Sequence, residues 1–238
     1  MSRRPGERWT GFAERIADAF GLLLVLVLIT DVLTSVMPYR GWTAVPLAVV
    51  TSASATVAPA TAGAGRPLVR WVGGLAALAV LLAAIAAAVG DAWPLALSAL
   101  LQTALLTVAV VCVLRAVITE PDVGFRTILG AISVYLIFGL LFTSLYVGID
   151  RLQSGPLFGS SAHLGTGDYL FFSITTLTTT GYGNLVPAGQ PGKMFATLEM
   201  LLGQIFLVTM IAGLVSLWRP GEWVRSKQHE RGEPGPRA

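Results

Sequence analysis

Seven consecutive residues, Thr178-Thr179-Thr180-Gly181-Tyr182-Gly183-Asn184, lie between two long apolar segments and carry the most specific chemistry in this chain. Threonine hydroxyls and main-chain carbonyls are uncharged oxygen donors, and a run of them along a narrow path can replace the hydration shell of a dehydrated cation. Lining up those carbonyls requires alternate residues to adopt backbone conformations that a Cβ opposes, and glycine is the residue that adopts them. Gly181 and Gly183 flank Tyr182 at that spacing. With this composition, Thr-x-Gly-Tyr-Gly is expected by chance on the order of 0.005 times in the whole chain, so the match is specific.

The elements that must hold this run can be read on either side of it. Asp168 to Thr178 is an amphipathic stretch long enough for a short helix, with Asp168 as a good N-cap. Entering from outside, such a helix aims its negative dipole end at the membrane centre, where a dehydrated cation gains from it. The run 178–184 is then the non-helical return, which is permitted at that depth only where backbone lines a cavity or is buried in protein. The Gly/Ser-rich segment from Gln153 to Gly167 reads as an exposed outer loop.

Hydrophobic residues make up 54% of the 238 residues and charged residues 12%, against about 25% in soluble domains, so this is a polytopic membrane protein. Apolar stretches near 20–37, 42–61, 70–90, 93–117, 126–148 and 193–218 are each near the ~20 residues needed to cross a bilayer. The first follows Glu14 and Asp18 and lacks a cleavage-site pattern, so it reads as a retained helix. The second contains Pro46 and Pro59 and much Ser and Thr, and charge decides in its favour. With six spans and both termini inside, all Lys and Arg except Arg40, Arg151 and Lys193 fall on the cytoplasmic side. Five spans would place Arg3, Arg4, Arg8 and Arg15 outside. The net charge of +3 is thus a topology signal and does not point to nucleic acid. Trp9, Trp218 and Trp223 read as anchors at the inner boundary. The lone cysteine, Cys112, excludes an intrachain disulfide.

Phe171-Phe172-Ser173, the threonine-rich Thr175 to Thr180, Gly-Tyr-Gly, and Pro187 before the last apolar segment resemble the pore loop of tetrameric potassium channels. The likeness is to bacterial two-helix pore modules and covers roughly residues 126–218. It implies an all-α membrane protein of six transmembrane helices, with a re-entrant pore helix and selectivity-filter loop between helices five and six. It further implies K+ coordination by Thr179, Thr180, Gly181 and Tyr182, an exit turn at Gly183, and a Tyr182 ring directed at the pore helix. That helix would carry Asp168, Phe171, Phe172, Thr175 and Thr176. Two positions depart from the family: Asn184 stands where Asp is usual, and Thr175 stands where some members have an acid. A carboxylate brace between those positions is therefore not carried over. Thr180 replaces the commoner Val and leaves its carbonyl in place.

In the last segment Gly203 is in register with the family's hinge glycine, while a small residue permitting close helix packing reads equally well. Gln204, Leu207, Ile211 and Val215 form one helical face, which the resemblance assigns to the central cavity. Glu199, one turn before Gly203, faces the pore helix or the next subunit. It reads as a brace on Thr175 or Thr176 supporting the filter alongside Asn184, or as a proton-sensing gate. Asp31 in the first span reads as part of a local hydrogen-bonded cap with Thr30, Thr34 and Ser35. His163 is a solvated outer-loop residue.

Six spans copy the layout of voltage-gated cation channels, yet the fourth has no arginine before Arg115, and Ile118 to Phe125 is too short for a long coupling helix. The expected organisation is a cytoplasmic segment at 1–18, a four-helix periphery without an arginine ladder at 19–118, a pore domain at 119–218 and a short tail at 219–238. The reading is a homotetrameric potassium-selective channel, not an enzyme, multi-pass in the plasma (inner) membrane with both termini cytoplasmic. Its partners are K+ as permeant ligand and membrane lipid, with no other cofactor and no nucleic acid. The rivals are a potassium transporter subunit, whose loops usually number four per chain, and a non-conducting protein with a vestigial loop.

Overall fold

Sustained apolar runs with few internal breakers become helices almost throughout. The computed structural model describes residues 5–37, 41–119, 125–159 and 164–217, with side chains described over 19–37, 41–119, 127–159 and 164–213. The helices are α1 (Pro5–Val36), α2 (Ala44–Thr61, after a 3-10 turn at Gly41–Thr43), α3 (Arg66–Val89), α4 (Ala92–Thr119), α5 (Phe125–Leu152), α6 (Thr166–Leu177) and α7 (Gly192–Leu217). All but α6 are long and apolar enough to cross a membrane, so the chain is an all-α, multi-pass membrane protein. With 12 residues, α6 covers only about 18 Å.

The second span forms although one of its prolines lies inside the helix. Pro46 lies in the first turn of α2, where no intrahelical N–H bond is missed, whereas Pro59 removes one bond of the last turns, a loss that membrane helices tolerate when neighbours satisfy the freed backbone. Its hydroxyls fold back on the helix, Thr56 to the Ala53 carbonyl (2.9 Å) and Thr61 to the Ala58 carbonyl (2.9 Å). The small residues Ala48, Ser54, Ala55 and Ala58 are buried. Small side chains allow the close approach on which helix association in lipid depends. The α3 helix starts ahead of the expected residue 70 because Pro67 suits a first turn, and it ends at Gly90, whose φ of +83° makes it a left-handed cap.

The α2, α3 and α4 helices pack mutually, α4 packs most extensively on α5, and α1 lies against both α5 and α6. Ser98 ties α4 to α3 by donating to the Ala79 carbonyl (2.8 Å). Burial is uneven along the chain: 56% of the 18-residue apolar window within Thr127–Leu152 is buried, but only 17% of that within Gly192–Gly213. The last helix therefore leaves most of its apolar surface without a partner in a single chain.

Two sequence expectations are corrected here. Asp31 does not join a local cap, because Thr30 donates instead to the Leu26 carbonyl (2.8 Å) and pairs with Ser54 of α2 (2.9 Å). Both Asp31 carboxylate oxygens are buried without a hydrogen-bond partner among the described residues. The outer loop is not simply exposed, since Leu157 and Phe158 are buried. Among the described side chains α4 carries one basic residue, the exposed Arg115. Trp218, Trp223 and His163 lie outside the described residues, as do the side chains of Trp9 and Val215.

Candidate ion-coordination site

The short helix α6 begins at Thr166 with Gly165 as its N-cap, not at Asp168. Asp168 is its third residue; its N–H donates to the Gly165 carbonyl (3.1 Å) and its carboxylate accepts from the Gly165 N–H (2.8 Å). The acid thus closes the first turn from inside the helix and adds favourable charge at the positive dipole end.

At the other end α6 gives way to a tightly tethered turn. The N–H groups of Thr178 and Thr179 donate to the carbonyls of Ile174 (2.9 Å) and Thr176 (3.0 Å), and those of Thr180 and Gly181 both reach the Thr175 carbonyl (2.8 and 3.1 Å). The Thr178 hydroxyl bonds the Ile174 carbonyl (2.7 Å) and lies 2.9 Å from the Thr180 hydroxyl. From there the backbone alternates in hand: φ is +57° at Thr179, +53° at Gly181 and +79° at Gly183, while Thr180 and Tyr182 do not have positive φ. Such alternation turns successive carbonyls toward one side of the strand, as oxygen coordination of an ion requires. Thr179 through Asn184 are all exposed in the single chain.

The Tyr182 ring stacks on Phe171 of α6 (centroids 5.7 Å apart, 12° between planes). Behind α6, Phe172 meets Phe158 and Tyr146 edge-on, at 4.7 and 5.2 Å. The segment after the filter run is pinned to the outer loop, with Ala188 donating to the Leu157 carbonyl (2.9 Å) and Phe158 bridged to Pro187. Asp150 anchors that loop by accepting from the Leu157 N–H (2.9 Å) and the Tyr169 hydroxyl (2.6 Å). Burial and this bond push the Tyr169 phenol above its ordinary range, so it remains a donor.

Glu199 is fully buried. Its partners differ from those expected: the Tyr146 hydroxyl donates to Oε2 (2.6 Å) and the Ser173 hydroxyl to Oε1 (2.5 Å), whereas Thr175 bonds within α6 to the Phe172 carbonyl (3.0 Å) and Thr176 is buried without a bond to Glu199. The carboxylate therefore joins α7, α6 and α5. Ser173 also lies 3.0 Å from the Gly139 carbonyl. Sequence reading missed Tyr146, Ser173 and Tyr135, whose hydroxyl donates to the Leu177 carbonyl (3.2 Å). Two tyrosines inside one apolar span were the available signal, since a buried phenol needs a partner.

Gly203 is buried where α7 crosses the end of α6, and a Cβ there would lie 2.2 Å from the Leu177 carbonyl oxygen. In this conformation α7 runs unbroken through it, so the glycine has a packing reason to be there. Gln204 and Ile211 are exposed and Leu207 partly so, on the face next to Phe206, which packs against Tyr135 and Phe138 (both 5.8 Å). Asn184 is exposed and makes no hydrogen bond to described residues.

Residues 130–219, the part of the chain containing all of these features, match the family described as Ion channel. The chain is similar to part of potassium channel subfamily K member 10 from Mus musculus, 38% identical over 55 residues, which is 23% of this chain and 10% of the mouse protein. It is also similar to two pore potassium channel c from Oryza sativa subsp. japonica, 33% identical over 82 residues, 34% of this chain and 17% of the rice protein. A third relative is the human voltage-gated delayed rectifier potassium channel KCNH5, 30% identical over 61 residues, 26% of this chain and 6% of that protein. The chain thus spans a minor part of the length of these relatives. No solved structure matches it.

Proposed function

We propose that the chain assembles as a homotetramer in the plasma membrane, both termini cytoplasmic, and conducts K+ passively through a selective pore on the four-fold axis. The observation that carries the proposal is the alternating backbone hand at Thr179, Gly181 and Gly183 in a run tethered to the end of a short helix. In this reading α6 is a re-entrant pore helix, and the carbonyls of Thr179, Thr180, Gly181 and Tyr182 with the Thr179 hydroxyl coordinate K+. Gly183 turns the exit, Glu199 and Asn184 support the filter, and Gln204, Leu207, Ile211 and Val215 line the cavity below it. One loop supplies a quarter of each oxygen ring, so four copies are needed. The exposed filter run and the bare surface of α7 support the presence of neighbours.

The division into a periphery at 19–118 and a pore domain at 119–218 belongs to the same proposal. Steep voltage sensing needs about 3–4 gating charges per subunit. Arg115 alone, near the inner end of α4, does not supply them, so the periphery is taken as non-sensing.

Purified protein in liposomes is expected to pass K+ but not Na+ down its gradient, to be blocked by Ba2+, and to show no steep voltage dependence in a planar bilayer. Gly181→Ala is expected to abolish that flux while the oligomer still elutes as the parent does, because a Cβ at Gly181 meets no atom within 4 Å and acts only on the backbone torsion. Equal K+ and Na+ flux, or an unaffected Gly181→Ala protein, contradicts the assignment.

A further inference from the structure

A cavity away from the filter run lies where α1, α2 and α4 meet α5 and the first turn of α6. Its polar lining is Thr34, Thr51, Gln102, Thr143, Ser144 and Thr166, and no charged side chain faces it. It has room for a water molecule. Thr166 is 95% buried by its 5% exposure, and its hydroxyl has no hydrogen-bond partner among the described residues. The Thr143 hydroxyl donates to the Gly139 carbonyl (2.7 Å) and keeps its oxygen lone pairs as acceptors. Ser52 and Asp31, whose buried side-chain oxygens also have no partner among the described residues, do not line the cavity.

A buried hydroxyl is not left unpaired without cost, and an uncharged lining disfavours an ion, which would lose its hydration for no counter-charge. The complement of this lining is a neutral group that both donates and accepts. We infer that the cavity holds a resident water molecule, which bridges the peripheral helices to the first turn of α6. The adjoining residue places that bridge at a seam: a Cβ on Gly167 would lie 2.4 Å from the Ser35 carbonyl oxygen, so the end of α1 rests directly on the same turn. An occupant therefore ties the helix that carries residues 178–184 to the periphery.

The test uses full-length protein in lipid nanodiscs and reads binding by NMR, so its outcome is separate from conduction. Long-lived water contacts are expected at the Thr166 and Gly167 amides of the parent, lost in Thr166→Val and kept in Thr166→Ser. Should Thr166→Val fail to assemble, Ser144→Ala on α5 provides the same comparison. Absence of these contacts in the parent, or equal contacts in parent and Thr166→Val, overturns the inference.

Discussion

Thr179 holds a φ of +57° although it is β-branched, a conformation that costs about 1–3 kcal/mol and persists only where the surroundings enforce it. The enforcement is visible in the four N–H groups from Thr178 to Gly181 that are tied back to α6 carbonyls. Behind them Glu199 accepts from Tyr146 and Ser173, and the arrangement has a hydrogen-bonding consequence. The single Ser173 proton faces two acceptors, Glu199 Oε1 and the Gly139 carbonyl. A glutamine at 199 can donate its amide to Ser173, release the Ser173 proton to Gly139, and still accept from Tyr146. Glu199→Gln is therefore expected to keep the parent's thermal stability and K+ selectivity. In Glu199→Val the Ser173 proton can still turn to Gly139, but the buried Tyr146 hydroxyl loses its acceptor at a cost of about 1–3 kcal/mol, so this variant is expected to melt several degrees lower and to lose selectivity. Equal behaviour of the two variants in a melting curve and a flux assay removes Glu199 from the filter's support.

At the scale of elements, the position of α6 is set by glycines that let other helices reach it. Gly203 of α7 receives the Leu177 carbonyl, and Gly139 of α5 faces Ile174, whose Cδ1 would lie 2.5 Å from an added Cβ. The contact at Gly203 is against backbone, which cannot rotate away as a side chain can. Gly203→Ala must therefore push α7 from the end of α6, at a cost of about 1–3 kcal/mol typical of overpacking. The expected result is lower thermal stability together with reduced K+ flux. Gly213, where a Cβ meets no atom within 4 Å, is the matched control, and Gly213→Ala is expected to change neither. If Gly203→Ala matches that control, the close contact does not hold in the assembled protein.

For the whole molecule, the number and order of the long helices and the glycines of the filter run were legible in the sequence, because hydropathy fixes spans and only glycine readily supplies positive φ. Thr179 escaped that logic, since its torsion is imposed by tethering and not by residue type. The partners of Glu199 also escaped, because Ser173 and Tyr146 lie 26 and 53 residues away and are brought to it only by helix packing. The start of α6 was misread at Asp168 because an acid serves equally well at the cap or inside the first turn. What a single chain leaves open is its largest feature, an α7 surface and a filter run with no neighbour. The measurement that bears most directly on this is a density map of the purified oligomer prepared in Rb+, with anomalous scattering locating the ion. The account predicts four copies around one axis and Rb+ on that axis between the carbonyls of Thr179 and Tyr182; loops that fail to meet on a common axis, or ions bound elsewhere, would contradict it.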